Sequence, residues 1–127
     1  MGIRTETIVV DATGSAGSAA GNTTSNHVLN GELVAIYLDY HASTPATADV
    51  TITLPNAPAA TLLTITNSAT DAWYFPRYII HSEAGAALTG TSGGDRTKHP
   101  LNGPVKVAIA QGDALTAAVT AYILYED

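Results

Sequence analysis

The chain has 127 residues, no cysteine and a formal net charge of −6 at pH 7, a length that suits one domain with its own core and no disulfide or thiolate staple. Five Lys and Arg against eleven Asp and Glu argue against nucleic acid or an anionic membrane as partner. With 46% hydrophobic and only 13% charged residues, the composition is far from that of disordered chains, and the surface must be covered largely by small neutral side chains, which suits packing against other protein.

Met1 to Asp11 holds one Arg and a short apolar run, which reads as neither a signal peptide nor a membrane span. Thr5 to Val10 is rich in β-branched residues and predicts a first strand ending at the turn former Asp11. Residues 12–26 carry three glycines and no large apolar side chain, so they predict a flexible loop or arm. Its Asn22-Thr23-Thr24 sequon is read as chance, because no secretion signal precedes it. Gly31 to Tyr40 is apolar at nearly every position, the pattern of a strand covered on both faces. Asp49 to Leu54 alternates with period two before Pro55, and Ala60 to Thr66 follows after a Pro-Asn-Ala-Pro turn, so the two read as neighbours in a meander.

Trp73 to Ile80 holds most of the aromatic area, and Pro76 inside it forces an edge position or a bend. Alternation puts Trp73 and Phe75 on one face and Tyr74 on the other; Trp73 and Phe75 are expected in the core. Tyr37 and Tyr40 likewise fall on opposite faces. Residues 82–99 form a second long loop, rich in glycine and carrying Asp95, Arg96 and Lys98. Val105 to Ile109 and Leu115 to Tyr125 flank a Gln-Gly-Asp turn and predict a closing hairpin. An alanine-rich helix over the last stretch is the lesser alternative, because its ending is β-favouring and lacks a helical cap. The whole predicts an all-β fold: an antiparallel β-sandwich, jelly-roll-like, of six to eight strands in a single domain over 1–127, with two long loops.

The residue types for a metal site or a small hydrolase are present in His27, His41, His81 and His99 with Asp39, Glu83 and Asp95. Asp39-x-His41 and His81-x-Glu83 each bring a carboxylate and an imidazole to one side of a strand end. No His-x-x-x-His helix, Cys pair or aspartate-rich loop accompanies them. The Thr91 to Lys98 stretch lacks the order of a phosphate-binding loop. The chain is therefore read as non-enzymatic, with no catalytic residue, cofactor or metal. Trp73, Tyr74, Phe75, Tyr78, Tyr122 and Tyr125 would stack on sugar rings if several of them lined one exposed face.

The order of features resembles small tailed-bacteriophage capsid-decoration, or head cement, proteins. The matching pieces are Gly31 to Ile36, Asp49 to Ile52, Ala60 to Asn67, Trp73 to Arg77, the Gly-rich stretch from Ala84 to Gly94, and Pro104 to Gly112. The resemblance implies a non-enzymatic virion subunit made in the host cytoplasm, a homo-oligomer with a trimer favoured, which binds the capsid exterior and bridges copies of the major capsid protein. The two loops would be its grips, with Asn22, Thr23, Thr24, Asn26, Asp95, Arg96 and Lys98 as candidate partner contacts. The alternative is a carbohydrate-binding β-sandwich module using the Tyr residues or Trp73.

Overall fold

The computed structural model describes residues 2–56, 59–87 and 96–127. Its strands are β1 (Ile3–Ala12), β2 (Ala19–Thr24), β3 (Leu29–Tyr40), β4 (Asp49–Leu54), β5 (Ala60–Ile65), β6 (Ala72–Tyr74), β7 (Arg77–Ile79), β8 (Arg96–Lys98), β9 (Pro100–Gly103), β10 (Lys106–Gly112) and β11 (Leu115–Glu126). One sheet runs β1-β11-β3-β6, with β9 also on β3; the second runs β2-β10-β4-β5; β7 and β8 form a separate ribbon. Every pairing is antiparallel.

With β7, β8 and β9 set aside, the remaining strands pair first with last, second with second-last, third with third-last and fourth with fifth. A long antiparallel hairpin rolled up on itself gives that order, so the fold is a jelly-roll β-sandwich. The inward residues of alternate positions fill the space between the sheets. Ile8, Val10, Leu33, Ile36, Leu38, Val119 and Ile123 from the first sheet meet Val50, Ile52, Val107 and Ile109 from the second, all buried. These β-branched and leucine side chains fit a pleated surface and exclude water from it.

Several expectations need correction. Residues 12–26 are no free arm: Ala19–Thr24 is β2, paired to β10 along its length. Its small residues are the reason it fits, since a Cβ at Gly21 would lie 1.9 Å from the Asp11 carbonyl oxygen. The closing strands are no hairpin, because β10 and β11 belong to opposite sheets. Gln111, at φ 53°, sits at the register shift of β10 between Ile109 and Gly112, and residues 113–114 then carry the chain across the sandwich. The 82–99 stretch contains strand β8, and its residues 88–95, Asp95 among them, lie outside the described ones. The run at Trp73 bends at Pro76 as expected, β6 ending at Tyr74 and β7 starting at Arg77. Leu115–Glu126 is strand.

Candidate functional site

The site is built on the outward face of the first sheet. β3 is flanked there by β11 and β6, and the register sets Tyr122 opposite Tyr37 and Tyr37 opposite Trp73. Directly opposed residues of antiparallel strands share a face. The inward places beside them are taken by Ile36, Leu38, Ala121 and Ile123, so alternation turns the aromatic residues outward. Tyr37 and Trp73 have ring centroids 5.0 Å apart, Tyr37 and Tyr122 6.3 Å, and Trp73 and Phe75 6.4 Å. Four rings thus form one continuous row across three strands, turning along β6 at its end.

This row is solvent-facing. Trp73 is 52% and Phe75 62% exposed, which corrects the expectation that they pack in the core. Tyr74 is the aromatic of β6 that packs against the core. The both-faces reading of β3 holds only in part: Ala35 is buried on the outward side, Tyr37 is half-buried among its neighbouring rings, and Asp39 is exposed. Thr7, opposite Tyr122, extends the row onto β1, and the Val9-Thr120-Asp39 row runs beside it.

At the other border β3 carries a bulge. Leu124 faces Ala35 and Tyr125 faces Leu33, so Val34 is left over. An extra residue in one strand leaves its backbone groups out of the ladder. The Arg77 guanidinium fills that gap, donating to the Val34 carbonyl at 3.1 Å and to the Pro76 carbonyl at 2.8 Å. This fixes the start of the β7–β8 ribbon beside Phe75.

The expected partner contacts do not converge. Asn22 and Thr24 are exposed on β2, Thr23 uses its hydroxyl to donate to the Val9 carbonyl at 2.9 Å, and Asn26 is exposed past the strand end. Arg96 and Lys98 stand on β8, where Lys98 pairs with Glu126 of β11. The histidines are dispersed too. His27 lies 3.2 Å from a Glu6 carboxylate oxygen, His41 Nδ1 accepts from the Ser43 N–H, and His99 lies against Tyr78 with centroids 5.1 Å apart. Burial, reinforced by the nearby Arg77 charge, holds the His99 imidazole below its ordinary value. Among the described residues no group of three or more His, Asp or Glu is placed to hold a metal ion.

The sequence marks Trp73, Phe75 and Tyr122 as candidate stacking rings but not Tyr37. The signal that places Tyr37 at the centre of the row is strand register, which no local pattern carries.

No protein-family model matches the chain, and no curated protein is detectably similar to it. Among solved structures, a point mutant of a family 29 carbohydrate-binding module is similar at TM-score 0.39 and 11% identity, over 98% of this chain and 81% of that one. The enzymatically active domain of bacteriophage CBA120 tailspike protein 4 is similar at TM-score 0.38 and 8% identity, over 97% of this chain and 18% of that one. The infectious bursal disease virus Gx strain structure is similar at TM-score 0.29 and 15% identity, over 99% of this chain and 38% of that one.

Proposed function

We propose that the chain is a non-catalytic carbohydrate-binding module whose binding surface is the Tyr122-Tyr37-Trp73-Phe75 row. Jelly rolls serve as capsid subunits and as lectin domains alike, so the fold does not choose between them and the reading rests on the site. The observation that carries it is the exposure of Trp73, in register with two tyrosines, and of Phe75 stacked beside it. Holding large aromatic surface in water is unfavourable, and a contiguous apolar patch on a soluble domain marks a contact surface. One face of a pyranose ring presents polarised C–H groups, which meet the negative face of an aromatic ring while its hydroxyls stay at the edge. The hydroxyls of Thr7 and Thr120 and the Asp39 carboxylate stand next to the row to hydrogen-bond them. A row several rings long favours an oligosaccharide over a single sugar.

The capsid reading needed two loops as grips. Residues 12–26 instead supply a strand tied into the second sheet, and no observation of the structure favours capsid binding over the platform. The deciding experiment screens the protein against a glycan array and follows hits by affinity gel electrophoresis with Trp73→Ala alongside. The expected result is retention by a soluble polysaccharide that weakens about 2- to 10-fold for the loss of one stacked ring. Silence across the array, or retention unchanged in Trp73→Ala, overturns the reading.

A further inference from the structure

The five Lys and Arg are unevenly placed. Arg4 pairs with Asp127 and Lys106 stands on β10, while Arg77, Arg96 and Lys98 all fall within the six residues of the β7–β8 ribbon. A chain of net charge −6 therefore concentrates three of its five cations in one small element. The register sets Arg77 opposite Lys98 and Ile79 opposite Arg96, so all three cations share one face of the ribbon. Like charges directly opposite each other destabilise a strand pair, so their placement calls for a compensating anion.

That face adjoins the aromatic row. Arg77 reaches the β3 bulge, two residues beyond Phe75, and Lys98 reaches Glu126 on β11. Glu126 neutralises Lys98 in part. Arg77 spends its hydrogen bonds on neutral carbonyls, which leave its charge in place, and Arg96 is exposed. The opposite border of the row carries the exposed Asp39. The far border of the rings thus carries the acid Asp39, while the ribbon border sets three cations against Glu126 and the exposed Glu32 opposite it on β3, a local excess of positive charge.

Building on the platform reading, we infer that the glycan it binds is anionic, its carboxylate or sulfate groups directed toward the β7–β8 ribbon and away from Asp39. Planar guanidinium groups match carboxylate and sulfate oxygens in pairs, and local complementarity acts despite an unfavourable net charge. The acid at the far border fixes orientation, because an anionic group placed there meets repulsion.

The test measures affinity by calorimetry for length-matched oligosaccharides of three kinds: a polyuronate, a sulfated glycan and a neutral glucan. An anionic ligand is expected to bind about tenfold more tightly than the neutral one at low salt, with the advantage fading as screening grows toward about 0.5 M salt. Whichever anionic ligand binds more tightly identifies the group. Arg96→Gln, an exposed position that leaves the Val34 contact intact, should weaken anionic binding about threefold, and Asp39→Asn should strengthen it about twofold. Neutral and anionic ligands of equal affinity, each dependent on Trp73, overturn the inference and leave the platform standing. Anionic binding indifferent to salt, Arg96 and Asp39 also overturns it. Failure of all three ligands, with a silent array, removes the platform and the inference with it.

Discussion

Gly31→Ala separates steric collision from backbone strain in this fold. Gly31 sits inside β3 at φ +132°, and a Cβ there would lie 1.8 Å from the Glu126 carbonyl oxygen, 2.7 Å from its carbon and 3.0 Å from the Asp127 Cα. A carbon and an oxygen in ordinary contact stay about 3.3 Å apart, so the end of β11 must retreat by roughly 1.5 Å. That movement breaks the Glu126 pairing with Glu32, the Lys98–Glu126 and Arg4–Asp127 ion pairs and the Asp127 N–H bond to the Gly2 carbonyl. Gly103 has nearly the same backbone, φ +150°, with no atom of the described residues within 4 Å of a Cβ. Backbone strain alone costs about 1–3 kcal/mol at either site. The lost hydrogen bonds add about 1 kcal/mol each at Gly31 only, the exposed ion pairs less. Gly31→Ala should therefore cost about 2 kcal/mol more than Gly103→Ala, a further fall in Tm of roughly 6–10 °C for a domain of this size. Thermal unfolding followed by circular dichroism reads both. Equal Tm values for the two variants would show that β11 ends in a place it can leave freely, and would refute the close approach.

The Tyr40 hydroxyl is buried with no hydrogen-bond partner among the described residues, so Tyr40→Phe should leave stability unchanged or raise it by up to about 1 kcal/mol; a destabilisation in urea titration would reveal a partner for the hydroxyl. Burial raises the Tyr40 pKa above its ordinary 10, so the native state holds this proton where the unfolded state releases it. Stability should then fall as pH rises past about 10, less steeply in Tyr40→Phe. His99 is shifted the other way, below 6.5. Between its lowered value and 6.5 the unfolded state binds more protons than the native, so this contribution declines as pH falls through 6.5, and a Tm series from pH 8 to pH 5 should flatten in His99→Gln. Trp73→Ala removes a side chain that is 52% exposed, so its Tm should drop by only a few degrees while glycan retention weakens about 2- to 10-fold; a collapse in Tm would mean that the ring is structural.

What was legible in the sequence was what depends on short-range chemistry. The β-branched runs marked β1, β4, β5, β10 and β11, and Pro76 marked the break between β6 and β7, because a residue without an N–H cannot continue a ladder. β2 went unread because its signal is inverted: Ala19 and Gly21 belong there for lack of bulk, where strand propensity looks for branched side chains. β8 went unread because Arg-Thr-Lys has no apolar alternation. Period two established that Trp73 and Phe75 share a face, but that regularity is blind to which face is wet. The choice is made by what already fills the interior, and here Ile36, Leu38, Ala121 and Ile123 fill it. The binding row is a product of register among strands from three separate parts of the chain. Since a one-residue slip in a strand would send its ring inward, the same hydrophobic contacts that fix the sandwich also hold the rings outward. The core and the proposed site are therefore specified together: a core substitution that shifts the register of β3 against β11 should disperse the aromatic row even though no ring is altered.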